Sequence, residues 1–185
     1  MGAFTKISST AFDELQLDAG VILNSFDPEQ LATPSDEAIV CATTGGISVS
    51  CVPTYSDMGA DVDNCPDNTK ELKRLDGWDC KIGFTALSAT ADVFKLALGA
   101  ADISGTTITP RSVLRATDFE DIWWVGDRSD GGLAAVCLKN ALSTGGLSIK
   151  TTKKGKGQFA VELTGHISID DLETVPMEFY VKEAA

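Results

Sequence analysis

The sequence predicts a mainly β domain of antiparallel strands with a single helix. Two observations carry this. Apolar residues recur with a period of two along several stretches, and only one segment, 88–102, breaks that period with a run of good helix formers. A length of 185 residues with no internal repeat and no linker-like stretch makes one domain, 1–185, large enough to bury a core.

The strands follow from the alternation. In WDCKIGF, Trp78, Cys80, Ile82 and Phe84 share one face, and Asp79, Lys81 and Gly83 the other. In GISVSCV, Ile47, Val49 and Cys51 form an inner face. FAVELTGHISI places Phe159, Val161, Leu163, Ile167 and Ile169 inside, with Glu162, Thr164 and His166 outside. VPMEFYVK sets Val175, Met177, Phe179 and Val181 against Glu178, Tyr180 and Lys182. DIWWVGD and LAAVCLKNAL are apolar on both faces, which predicts strands covered on both sides. Glycine pairs at 45–46, 131–132 and 145–146 precede strand-like runs and suit turns that need positive φ. The stretch KKGKGQ interrupts LSIKTT and FAVELTG in the same way, so 149–168 reads as a β-hairpin with Lys150, Lys153, Lys154 and Lys156 at or near its tip.

The helix is expected over 88–102. Ser88 and Thr90 are the capping candidates, and Asp92 falls in the first turn, where the helix dipole favours a negative charge. Val93, Leu96, Ala97 and Ala100 form a stripe, but Phe94, Leu98 and Ala101 occupy much of the other side. A helix apolar nearly all round needs cover on more than one side, and a neighbouring subunit is a candidate cover, which singles out Phe94 and Leu98. The segment PTYSDMGADVDNCPDNTK, 53–70, is acidic and poor in aliphatic residues. It reads as a long loop or an extended hairpin end.

Composition restricts the function. Fifteen Lys and Arg against 27 Asp and Glu give a net charge of −12, which disfavours binding to nucleic acid or anionic membranes. No apolar run has the length of a membrane span. The first residues lack a basic and then apolar signal pattern, so the chain reads as cytosolic when made. Its five cysteines, at 41, 51, 65, 80 and 137, include no C-x-x-C spacing and read as free, buried thiols.

No motif points to catalysis or to a cofactor. Gly155, Lys156 and Gly157 are followed by Gln158 and a strand, not by the Lys-Ser/Thr and helix of a phosphate loop. Asp57, Asp61, Asp63 and Asp67 invite a calcium reading. An EF-hand count from Asp61 puts Cys65 where a ligand belongs and Pro66 where glycine belongs. His166 is the only histidine. It lies on a polar strand face and has no nucleophile elbow elsewhere in the chain to serve. The acidic pairs Asp170 and Asp171, and Glu120 and Asp121, do not by themselves make a glycosidase. The reading is a non-enzyme with no cofactor and no metal.

From residue 118 onward the blocks IWWVGD, LKNALSTGG, KGKGQFAVELTGH and VPMEFYVKE resemble the major tail (tail tube) proteins of tailed bacteriophages that infect Gram-positive bacteria. FDELQLDAGVIL and LDGWDCKIGFTALS agree in the front half, and the likeness is weakest over 27–76. The resemblance implies a β-sandwich or barrel-like domain with one flanking helix. It also implies hexameric rings that stack into a hollow tube around a tape-measure protein, with tail terminator and distal tail proteins as further partners. DNA passes through the lumen without specific binding, and the protein resides in the virion. A long, non-contractile tail fits it better than a contractile one. On that view Phe94, Leu98, Lys153, Lys154 and Lys156 are the candidate subunit contacts, the lysines pointing away from the lumen or pairing with acidic loops of the next ring. Rival readings are a monomeric β-sandwich binding module, a capsid-associated adaptor, or a hydrolase with a cryptic site.

Overall fold

The computed structural model describes residues 7–184. Strand takes up 47% of the chain and helix 8%, so the mainly β expectation holds. In chain order the strands are β1 (Gln16–Leu23), β2 (Thr43–Asp57) and β3 (Lys73–Ala86), then helix α1 (Ala91–Leu98). Strands β4 (Ala101–Ser104), β5 (Thr107–Pro110), β6 (Glu120–Arg128) and β7 (Leu133–Ser143) follow. The last are β8 (Ser148–Lys150), β9 (Gln158–Thr164) and β10 (Met177–Lys182).

All pairings are antiparallel. One layer runs β1-β6-β7-β10 and the other β2-β3-β9-β8. Strand β7 links them: its first part pairs with β6 and β10, and its end, at Leu142 and Ser143, pairs with Thr164 and Leu163 of β9. The sheet therefore folds over at β7 in a sandwich-like arrangement. Ile22 from β1, Ile122 from β6 and Val136 and Leu138 from β7 meet Cys80, Ile82 and Phe84 from β3 and Val161 and Leu163 from β9 in one core, with Val93 and Ala97 of α1 packed into it. The two-faced apolar strands have their predicted explanation. The far side of β6 and β7, through Trp123, Val125, Leu133, Ala135 and Cys137, packs with Leu23, Ala38 and Phe26 from β1 and the chain that follows it. Trp123 lies edge-on to Phe26 and tilted against Tyr180 of β10.

The helix is shorter than expected. Thr90 is the cap, its Oγ1 accepting the Val93 N–H at 3.3 Å. At the other end Gly99, with φ 75°, stops it at Leu98, because a left-handed residue cannot continue the spiral. Residues 101–110 instead form the β4–β5 hairpin, turning at Gly105. Ion pairs from Arg111 to Asp118 and Asp102, and from Arg115 to Asp102, tie its base to the following turn.

Of the two readings of 53–70, the extended hairpin end is the one that forms: β2 runs to Asp57 opposite Lys73, and the loop is the tip between them. Three further expectations change. Gly45 and Gly46 lie inside β2 as a bulge, not in a turn. Strand β9 ends at Thr164, and Ile167 and Ile169 leave the core, Ile169 being 85% exposed. Strand β10 buries Met177, but Phe179 and Val181 are 59% and 70% exposed. Tyr180, the residue expected outside, is the one that packs on Trp123, where β10 meets the outer cluster, and the face that carries Phe179 and Val181 is left uncovered.

Candidate assembly surface

Strands β2 and β3 are long, at 15 and 14 residues, and they outrun their neighbours. The register pairs Ile47 with Phe84, Val49 with Ile82, Cys51 with Cys80, Pro53 with Trp78 and Tyr55 with Leu75. Directly opposed residues share a face and the side-chain period is two, so these pairs form one continuous apolar stripe. Strand β9 covers β3 only from Lys81 to Ala86. Beyond that point the hairpin is a two-stranded arm whose inner face has no partner strand among the described residues. The stripe accordingly passes from buried Ile82 and Cys80 to Trp78 at 36% exposure, Leu75 at 48% and Tyr55 at 56%. A bulge at Asp76, which takes the Ser56 hydroxyl and the Arg74 Nε, keeps Leu75 in phase with Tyr55.

The arm ends in an acidic tip. Asp57 organises it by accepting the backbone N–H groups of Gly59 and Asn68, both at 3.0 Å, and by pairing with Lys73 at 3.3 Å. Those two N–H donors, and then Lys73, hold its carboxyl below the ordinary carboxylate value. Asp61, Asp63 and Asp67 face solvent on the loop that Asp57 closes. These carboxylates do not converge, and among the described residues no group of three or more His, Cys, Asp or Glu is placed to hold a metal ion.

The lysines lie at the opposite end. Strands β8 and β9 form the expected hairpin, with Lys150 opposite Gln158. Lys153, Lys154 and Lys156 sit on its exposed connection, and no ion pair among the described residues includes them. Because β9 starts where β3 finishes, with Phe159 opposite Ala86, this loop lies at the pole away from the arm tip. Thirteen strand steps at about 3.3 Å each put the two ends roughly 40 Å apart.

Phe94 and Leu98 are both half-buried within the chain, and Phe94 stacks edge-on against Phe159 at 5.2 Å. That contact puts the start of α1 beside the base of the lysine loop, while its end, at Ala97 and Gly99, lies by Leu142 and Ser143. Much of the cover that α1 needs comes from β7 and β9 of its own chain; the Ser143 hydroxyl, for example, donates to the Ala97 carbonyl at 2.6 Å. The exposed apolar residues of the arm were the ones missed. Tyr55 continues the phase of Ile47, Val49 and Cys51, which is the signal that would have found it.

Two other features carry titratable groups. A cleft of about 380 Å³ between α1 and the β6–β7 strands is lined by Asp92, Lys95, Asp118 and Glu120, among others. Lys95 pairs with Glu120 at 3.7 Å, and Asp118 is committed to Arg111 and the Arg115 N–H. His166 is partly buried, edge-on to Phe119, with Nδ1 3.2 Å from the Asn140 carbonyl. It locks the end of β9 to β7 and has no hydroxyl or thiol to activate among its hydrogen-bond contacts. No protein-family model matches this chain, and no curated protein sequence matches it.

Proposed function

We propose that this chain is the building block of a phage tail tube, in which six copies close into a ring and rings stack into a hollow conduit around a tape-measure protein. The observation that carries the reading is the arm: an apolar stripe without a partner and an acidic tip at one pole, with a free lysine loop at the other. A contact between two different surfaces of the same chain is heterologous, and such contacts propagate into rings or open filaments. The sequence resemblance to major tail proteins supports the same reading. The net charge of −12 suits a conduit, since carboxylates repel DNA phosphates and let the duplex pass without sticking. In this role the protein is a structural virion component with no catalytic site and no cofactor, and its further partners are the tail terminator and distal tail proteins.

Gel filtration and negative-stain imaging of the purified protein test this. Rings or tubes are the expected result. A monodisperse monomer at every concentration would favour the binding-module reading instead.

A further inference from the structure

We propose that Cys51 and Cys80 are a reversible cross-strand thiol pair that closes to a disulfide and pins the arm to the sheet. The two residues are directly opposed in the β2–β3 register. Opposed residues in an antiparallel pair have Cα atoms about 4.5–5.5 Å apart, within the span that disulfides bridge. Their Sγ atoms already lie 3.3 Å from each other, the one sulfur–sulfur contact among the described residues. Cys41, Cys65 and Cys137 have no such neighbour there.

The position gives the bond a consequence. The last β3–β9 pair is Lys81 with Thr164, and the Cys80 carbonyl accepts the Gly165 N–H at 2.9 Å immediately beyond it. The thiol pair therefore sits where the three-stranded sheet ends and the two-stranded arm begins. A covalent tie there removes splaying of the two arm strands at their root.

The chemistry is thiol–disulfide exchange with a low-molecular-weight disulfide. Cys51 is half-buried and Cys80 fully buried, so Cys51 is the entry point. Its thiolate displaces one thiol from the oxidant and forms a mixed disulfide. The Cys80 thiolate then attacks the Cys51 sulfur and expels the second thiol. The protein loses two protons and two electrons, and the oxidant leaves as two thiols. In the reducing cytosol the pair stays open, and in an oxidising medium outside the cell it closes. The bond stands on the geometry alone. Its use, as a lock set after assembled tails leave the cell, rests on the tail-tube reading.

The test treats the purified full-length protein with oxidised glutathione, quenches it, and titrates thiols after denaturation without reductant. The expected result is loss of two of the five thiols, regained on reduction, with no retained glutathione mass. Cys51→Ser should keep all four of its thiols or carry one glutathione, and Cys41→Ser should still lose two. Cys51→Ser replaces the half-buried member, so the result does not depend on refilling the Cys80 site. Five thiols surviving in the native protein, or a two-thiol loss that persists in Cys51→Ser, would overturn the proposal. Imaging of the same sample separates the two readings: closure in a protein that never forms rings sinks the tail tube and leaves the thiol pair.

Discussion

If the two charged poles bind each other between copies, reversing one of them should weaken assembly and reversing the other should restore it. Take a loop variant, Lys153→Glu, Lys154→Glu and Lys156→Glu, and a tip variant, Asp61→Lys, Asp63→Lys and Asp67→Lys. All six side chains are exposed, and none belongs to an ion pair among the described residues, so neither variant should unfold the subunit. An exposed ion pair contributes about 0.2–1 kcal/mol, so three pairs give roughly 0.6–3 kcal/mol per contact. Turning attraction into repulsion about doubles the change. Since about 1.4 kcal/mol is a factor of ten, the critical concentration for polymerisation should rise at least roughly tenfold in each variant alone. The effect should fade toward 0.5 M salt, because screening already acts over about 8 Å at 0.15 M. In an equimolar mixture the acidic loop of one variant meets the basic tip of the other, and the basic loop of the second meets the acidic tip of the first. Polymer should then return. The assay is sedimentation of polymer against protein concentration, with circular dichroism to check the fold. Unchanged critical concentrations, or no recovery on mixing, would refute the head-to-tail contact.

Other expectations are more local. Tyr55→Thr with Leu75→Thr shortens the exposed apolar stripe without setting like charges opposite each other, and should leave monomer stability within about 0.5 kcal/mol while weakening polymer, read by denaturant melts and sedimentation. Phe94→Asp should behave differently, lowering the denaturation midpoint of the monomer as well, because that ring packs on Phe159. Gly132→Ala would drive a methyl into the Lys182 carbonyl, a backbone atom that cannot turn aside, so β10 should loosen at a cost of about 1–3 kcal/mol. Hydrogen exchange at 177–182 would show it. The carboxyl of Asp118 is held below its ordinary value by the Arg115 N–H and then by Arg111. A lowered carboxylate stabilises the fold above its unfolded value of about 3.9, and that contribution is lost as pH falls through the lower folded value. Asp118→Asn should therefore be less stable at neutral pH and show a flatter loss of stability below about pH 4.

How much of the fold could be read from the chain depended on whether a strand's pattern was interrupted. The central strands were legible, β6 and β7 by their two-faced apolar runs and β3 and β9 by strict alternation. Strand β1 was not read as a strand. Asp18 and Gly20, both at positive φ, break QLDAGVIL with a bulge, so only Ile22 and Leu23 reach the core. The β4–β5 hairpin was hidden because Ala97, Leu98, Ala100 and Ala101 keep high helix propensity on both sides of Gly99. The left-handed turn at that glycine outweighs them. Around β10, Val175 and Met177 pack on the main core as the alternation predicts, but further along Tyr180 meets the outer cluster and Phe179 and Val181 stay exposed. Alternation fixes which residues share a face and leaves open which face meets the core.

The candidate surface was hard to read for the same physical reason. From Ile47 to Tyr55 the inner face of β2 repeats without interruption, and nothing in those residues marks where burial stops. Burial stops where β9 stops, more than a hundred residues away in sequence, at Thr164. An apolar side chain that packs on its own core and one that awaits a neighbouring copy obey the same pattern, since both are apolar surface removed from water. What separates them is the width of the sheet behind each. That width reverses the weight given to the helix and the arm. Phe94 has Phe159 behind it, while Tyr55 and Leu75 lie beyond the last β3–β9 pair and stay 56% and 48% exposed. The arm is therefore a place where a second copy would remove apolar surface from water. The lysine loop, at the far pole, is where the next copy's acidic tip would find opposite charge.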